Sequence, residues 1–127
     1  MTTKEYISAA CGKPIDAYSY AGATLKAKWL QHGRYVARKL AKELGLVKGQ
    51  FQVRTNPAGV AVSGDVHLHA DWVYVALEQG GIQGMFMWRY CDSQKDYTGH
   101  ANQWAPWSAL EDLPKFAKYI RDGKKEE

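Results

Sequence analysis

The stretch between Val60 and Leu77 constrains the fold of this chain most strongly. From Val60 to Trp72, apolar residues or glycine occupy every second position, and small, charged or histidine residues fill the others. Because successive side chains of a β-strand point to opposite faces, this alternation predicts a strand with one buried face. The apolar parity shifts by one residue at Val73, so we expect a bulge or tight turn near Ala70 to Trp72.

Two flanking segments predict further strands. Residues 50 to 55, which precede this stretch, alternate between polar and apolar side chains. Residues 85 to 91, which follow a break at Gly80-Gly81, predict the last strand. The segment Asn56-Pro57-Ala58-Gly59 favours a type I turn. A run of strands between helical segments indicates an antiparallel meander with helices packed on it.

The stretch from Ala21 to Leu44 predicts a long amphipathic helix. Apolar residues recur there at spacings of three and four, the period of an α-helix: Leu25, Trp29, Leu30, Val36, Ala37, Leu40, Ala41 and Leu44. Gly45 suits a left-handed cap, and Leu46 stands where a Schellman motif places its hydrophobic contact. A shorter helix near Pro114 has one apolar face, formed by Leu113, Phe116, Ala117 and Ile120. The fold class is therefore α+β: an antiparallel meander of three or four strands, flanked by a long N-terminal and a shorter C-terminal helix.

Length and composition indicate one globular domain over residues 1–127, with 46% hydrophobic and 24% charged residues. Residues 1–18 and 123–127 lack clear patterning, so we expect them to be poorly ordered. Neither a membrane span nor a signal peptide is apparent, which favours the cytoplasm and excludes a membrane partner. Cys11 and Cys91 are then expected as reduced thiols, although one disulfide is open on the count alone. No cofactor motif is present.

The charge is unevenly distributed. The net charge is +4 and the pI is about 9.0, and the excess of Lys and Arg lies in the first half of the chain. A helical wheel places one polar arc opposite the apolar stripe of the long helix: Lys28, Gln31, Arg34, Tyr35, Arg38, Lys39 and Lys42. Lys and Arg neutralise phosphates and a tyrosine can stack on a base, so this arc predicts docking on nucleic acid or an acidic protein surface. A solvated helix face is the alternative interpretation.

Three other features bear on function. Asp65, His67, His69 and Asp71 share one strand face and have donor types that suit a metal ion, against the alternative of a polar sheet surface. Phe86, Trp88 and Tyr90 alternate on another strand and suit either base stacking or the core. The long segment 92–107 suits either a protein-binding loop or a cover over the core, and its candidate contacts are Asp96, Tyr97, His100, Trp104 and Trp107.

The run from Gly59 to His69, followed by Asp96-Tyr97-Thr98-Gly99, resembles small proteins of unassigned function carried by bacteriophages and prophages. The resemblance covers about the middle half of the chain. It implies a bacterial cytoplasm and an anti-defence role such as CRISPR inhibition, which acts by binding. It implies no particular functional residue.

The sequence therefore predicts a non-catalytic protein that docks on a polyanion, above all nucleic acid, through its basic helix. Two alternatives remain open: a protein-binding inhibitor or adaptor that uses segment 92–107, and a metal-dependent hydrolase at the Asp65–Asp71 strand face. No nucleophile motif supports covalent catalysis.

Overall fold

A computed structural model describes residues 1–10, 15–59, 64–78 and 84–126. In chain order the elements are α1 (Thr3–Ala10), α2 (Tyr20–Glu43), β1 (Phe51–Asn56), β2 (Asp65–Ala70), β3 (Val73–Glu78), β4 (Met85–Tyr90), β5 (Gln103–Pro106), a 3₁₀ helix (Trp107–Glu111) and α3 (Leu113–Lys124). The expected break at Gly80-Gly81 and the start of the alternating stretch, Val60 to Ser63, lie outside the described residues.

The five strands form an antiparallel meander in the order β1-β2-β3-β4-β5. The predicted α+β class is confirmed, with five strands where the sequence indicated three or four. The additional strand is β5, which pairs Gln103 with Trp88 and Pro106 with Met85. Its four residues are too few to show an alternating pattern, and Pro106 is tolerated because β5 is an edge strand.

The predicted turn near Ala70 to Trp72 is confirmed. Asp71 and Trp72 connect β2 to β3, and the strands pair in register from His69 opposite Tyr74 onward. The tight connection explains the parity shift, since it returns the apolar side chains of β3 to the face that β2 buries.

The segment after β1 differs from the expected type I turn. Ala58 has a φ of 53°, whereas the central residues of a type I turn have negative φ. The side chain of Asn56 accepts a hydrogen bond from the Ala58 backbone nitrogen at 3.1 Å, and such local bonding stabilises an Asx turn instead.

Helix α2 begins and ends close to its predicted bounds. Gly45 has a φ of 77°, the Leu46 nitrogen donates to Ala41 O at 2.9 Å, and the Gly45 nitrogen donates to Lys42 O at 3.0 Å. These bonds form the predicted Schellman motif. The apolar stripe is buried except at Leu25, which is 41% exposed.

In place of Leu25, the neighbouring Lys26 is buried. Its Nζ donates to the backbone oxygen of Gly59 at 2.6 Å. A buried ammonium needs such a partner, because leaving it without hydrogen bonds would cost several kcal/mol.

Helices reach into both terminal segments that were expected to be poorly ordered. Residues 3–10 form α1, where Tyr6 is fully buried. Helix α3 extends to Lys124 and buries all four predicted apolar residues. The sequence pattern does not reveal α1 because the helix is held mainly by the tertiary contacts of one large aromatic residue, Tyr6. A single anchoring residue produces no periodic pattern.

The helices cover one face of the sheet. The Phe116 ring of α3 packs edge-on against Phe86 of β4 at 5.5 Å, and α2 crosses β2 where Gly33 meets Val66. A Cβ on Gly33 would lie 2.9 Å from Val66 Cγ2, so this close approach requires glycine. The opposite face, called the open face below, carries Gln52, Arg54, Asp65, His67, His69, Tyr74, Ala76, Glu78, Met87, Arg89 and Trp104.

Candidate functional site

The polar arc of α2 lies on the surface. We call its residues the basic face: Lys28, Gln31, Arg34, Tyr35, Arg38, Lys39 and Lys42. All are exposed except Arg34, which is half-buried because its Nη1 donates to the Thr55 side chain of β1 at 3.3 Å. The structure therefore places the predicted nucleic-acid-binding residues on one side of one helix.

The cations of the basic face form no ion pair with the acidic residues that the structure describes, although Lys28 helps to lower the pKa of Glu5. Helix α2 contains six Lys or Arg residues and one acidic residue, Glu43, which is half-buried. Within the described part of the chain, no ion pair includes a residue of the basic face. His67 pairs with Asp65 and Glu78 on the open face, and the other ion pairs are His100–Asp92 and Lys118–Asp122. Salt bridges within the protein thus do not account for this concentration of charge.

Tyr35 stands among these cations. It is 53% exposed, and Lys39 Nζ lies 5.8 Å from its ring centroid. An exposed aromatic ring beside ammonium groups can stack on a base while the cations contact phosphates.

The loop after β4 folds back over the open face. Tyr97 packs edge-on against His69 at 5.2 Å, its hydroxyl contacts the Arg54 guanidinium, and its backbone oxygen accepts from Arg89 Nη2 at 2.7 Å. His69 Nε2 donates to the backbone oxygen of Ser93 at 3.0 Å. These contacts attach the loop to β1, β2 and β4.

Asp96 organises this loop internally. Its Oδ1 accepts from the Thr98 and Gly99 backbone nitrogens at 3.1 and 2.7 Å, and its Oδ2 accepts from the Asp92 nitrogen at 3.0 Å. Hydrogen bonds to a carboxylate favour its charged form, so they lower the pKa of Asp96 to about 2. Asp96, predicted as a protein contact, is thus engaged in shaping its own loop.

The other predicted protein contacts are dispersed. His100 pairs with Asp92 at 3.0 Å on the surface. Tyr97 packs against His69 of β2, whereas Trp104 lies on the edge strand β5. Trp104 lines a groove of about 420 Å³ between β5 and α3.

Trp107 contradicts its prediction as a protein-binding residue of segment 92–107. It is 1% exposed and packs against Tyr6, Trp29 and Phe86. It therefore belongs to the core and is not available to a partner. The two tryptophans differ because Trp104 is in β5 and points to the open face, whereas Trp107 begins the 3₁₀ helix on the other side.

The aromatic strand also belongs to the core. Phe86, Trp88 and Tyr90 of β4 are all buried under the helices. The core interpretation of these rings is confirmed, and base stacking on them is excluded by their burial.

The structure separates the four residues that the sequence offers as metal ligands. Asp65 and His67 lie together on the open face, with Asp65 Oδ1 2.8 Å from His67 Nε2. His69 is fully buried and bonded to Ser93, and burial lowers the pKa of its imidazole. Asp71 lies beyond the end of β2, in the turn, where it accepts from Gln94 Nε2 at 2.8 Å.

Glu78 of β3, which the sequence analysis does not single out, lies close to Asp65 and His67. Its Oε1 lies 3.8 Å from His67 Nε2, and it stands directly opposite Asp65 in the β2–β3 ladder. The signal was available in the sequence: a two-residue turn at Asp71-Trp72 sets a register that pairs position 65 with position 78.

Comparison with known protein families, with curated proteins and with solved structures found no match. Of the helices in the described ranges, none has the length and apolar character needed to cross a lipid bilayer. Cys91 is a buried free thiol, with its pKa raised by burial, and Cys11 lies outside the described residues.

Proposed function

We propose that this protein binds nucleic acid through the basic face of α2. The observation that carries the proposal is that these cations, all exposed except the half-buried Arg34, form no ion pair among the residues that the structure describes. A lysine or arginine already paired within the protein would gain little from a phosphate. Unpaired cations instead release the counterions condensed on a nucleic acid when they bind it, and that release drives association.

The shape of the basic face suits a polyanion better than a small anion. From Lys28 to Lys42 the helix rises about 21 Å, which spans several phosphates of a nucleic acid strand. An α-helix also fits the major groove of duplex DNA. Tyr35, near the middle of the face, adds a stacking surface that suits single strands.

The test measures binding of the full chain to fluorescent single- and double-stranded oligonucleotides over a range of salt concentrations. We expect micromolar or tighter affinity near 50 mM salt that falls steeply as salt rises. The triple variant Arg38→Ala, Lys39→Ala, Lys42→Ala should weaken binding. Its plot of log K against log salt should be shallower by about 2 to 3, close to one unit for each lost phosphate contact.

A matched control removes the same charge from another helix. Lys115, Lys118 and Lys125 are exposed on or just after α3, and their triple alanine variant should keep most of the affinity. If the two triple variants lose affinity equally, net charge and not the basic face is responsible. Absence of binding at low salt would also overturn the proposal.

The alternative partner is a protein, contacted through segment 92–107. Tyr97 and Trp104 are 57% and 43% exposed, and both are available to a partner. This alternative predicts capture of a partner that survives nuclease treatment and is lost in Trp104→Ala. Nuclease-sensitive capture that persists in Trp104→Ala would favour the basic face.

A further inference from the structure

We propose that Asp65, His67 and Glu78 form a binding site for a divalent transition-metal ion on the open face. The site is independent of the proposed nucleic-acid interface, which lies on a helix covering the other face of the sheet. It differs from the sequence-level prediction because one carboxylate comes from β3.

The three side chains converge on a small volume. One ligand atom from each, two carboxylate oxygens and an imidazole nitrogen, all lie within 4.8 Å of one another. Ligand atoms that each lie about 2.0–2.2 Å from one ion are at most about 4.4 Å apart, so the three side chains must close slightly around a metal. Small rotations of the exposed Glu78 side chain would complete the arrangement.

The backbone holds the donors close together. Asp65 and His67 are two residues apart on β2 and therefore share its open face, and Glu78 is the direct cross-strand partner of Asp65. Like charges at directly opposed positions destabilise a sheet. A cation bound between the two carboxylates would attract both of them and offset this repulsion. A bound metal ion would therefore account for the two opposed acidic residues.

His67 is oriented by a second residue. Its Nδ1 is hydrogen-bonded to the Tyr74 hydroxyl of β3, and the two rings meet edge-on at 5.3 Å. Metal-binding histidines usually donate their other ring N–H to such a partner, which sets the tautomer and aims the free nitrogen. When Nδ1–H donates to the Tyr74 oxygen, the lone pair of Nε2 faces Asp65 and Glu78.

The facing atoms are not satisfied by each other. Asp65 Oδ1 lies 2.8 Å from His67 Nε2, and Glu78 Oε1 lies 3.8 Å from the same nitrogen. Asp65 Oδ1 and His67 Nε2 are both buried, yet neither completes a hydrogen bond among the described residues. Buried polar atoms normally find partners. A metal ion would satisfy both at once.

The donor set indicates the class of ion. One imidazole and two carboxylates suit Mn²⁺, Fe²⁺, Co²⁺, Ni²⁺ or Zn²⁺, whereas Mg²⁺ and Ca²⁺ prefer oxygen ligands alone. Three protein ligands leave at least one coordination position for water.

The test titrates the chelator-treated full chain with ZnCl₂, MnCl₂ and MgCl₂ by calorimetry. We expect one Zn²⁺ or Mn²⁺ per chain with a rise in Tm on saturation, and no comparable response to Mg²⁺. The Glu78→Gln variant should lose at least tenfold in affinity. Without metal it should be as stable as the parent or more so, because the opposed charges are removed.

Two further variants separate this site from others. Tyr74→Phe should weaken binding about 10- to 100-fold by releasing the His67 ring, which marks Tyr74 as a positioning residue. Asp92→Asn, which alters the His100–Asp92 pair elsewhere on the surface, should bind as tightly as the parent chain. The proposal is overturned by absence of Zn²⁺ and Mn²⁺ binding at millimolar concentration, or by stoichiometric binding that Glu78→Gln leaves unchanged.

Discussion

Tyr6 of α1 stacks on Trp29 of α2, with ring centroids 4.7 Å apart and an angle of 19° between the planes. The Trp29 indole nitrogen also donates to the backbone oxygen of Tyr6 at 3.1 Å. This pair anchors an N-terminal helix that the sequence pattern does not reveal. The Tyr6 hydroxyl, however, is buried without a hydrogen-bond partner within the described ranges. Burial raises the pKa of Tyr6 above its ordinary value.

Replacing Tyr6 with phenylalanine should therefore not harm the protein. The ring stack is kept and an unsatisfied buried hydroxyl is removed, so we expect the free energy of unfolding to stay equal or rise by about 1 kcal/mol. Urea denaturation of parent and variant measures the difference. A loss of stability in Tyr6→Phe would show that the hydroxyl has a partner.

The two tryptophans of segment 92–107 should differ in how much stability their truncation costs. Trp107→Ala removes a buried ring and should lower the free energy of unfolding by about 3–5 kcal/mol. Trp104→Ala removes an exposed ring and should cost less than about 1 kcal/mol. Thermal denaturation of both variants checks this, and equal losses would contradict the assignment of Trp107 alone to the core.

Gly45 should tolerate alanine poorly although nothing crowds it. Its φ of 77° is unfavourable for a residue with a Cβ, so we expect Gly45→Ala to cost about 1 kcal/mol of stability. Gly59→Ala is the matched control, since a Cβ there also meets open space and its φ is not in the positive range. Similar losses in both variants would show that backbone conformation is not the cause.

Asp96 should contribute stability that is lost at acid pH. Its pKa is lowered from the ordinary 3.8 to about 2 in the folded protein. The contribution is complete above about pH 4 and disappears as the pH falls toward 2, because the folded state must then protonate a group that it prefers charged. The difference in Tm between parent and Asp96→Ala should shrink over this range. A constant difference would mean that the loop bonds do not depend on the charge.

His69 should make the protein less stable below neutral pH. Burial lowers the pKa of this imidazole from its ordinary 6.5, with Arg54 and Arg89 adding to the effect. The unfolded chain therefore binds the proton first, so the Tm should fall as the pH drops below about 6.5. The fall should be smaller in His69→Gln, which keeps a donor for Ser93. It should not vanish, because burial also lowers the pKa of His32. An unchanged pH dependence would exclude His69 as a source.

Local patterns account for the elements that were predicted correctly. The α2 stripe with its Gly45 cap, the turn at Asp71-Trp72 and the apolar face of α3 depend on residues close in sequence. Hydrophobic period and turn chemistry report such features directly. The exposure of the basic face follows in the same way, since it lies opposite the buried stripe.

Alternation along a single strand predicts only two of the three ligands of the candidate metal site. Asp65 and His67 share a strand, so alternation places them together. Glu78 joins them through the register of the β2–β3 hairpin. His69 follows the same alternation as His67, but the loop at Ser93 and Tyr97 covers it, and no local pattern reports what a distant loop covers.

By itself, the sequence determined the α+β class, the long helix with its basic face and the parity of the strands, because periodicity specifies which side of an element is apolar. The tertiary structure alone decided that α1 packs through Tyr6, that β5 extends the sheet and that Trp107 is buried while Trp104 is exposed. Each of these outcomes depends on contacts between segments far apart in the chain, whose free energy is gained only when the chain folds as a whole.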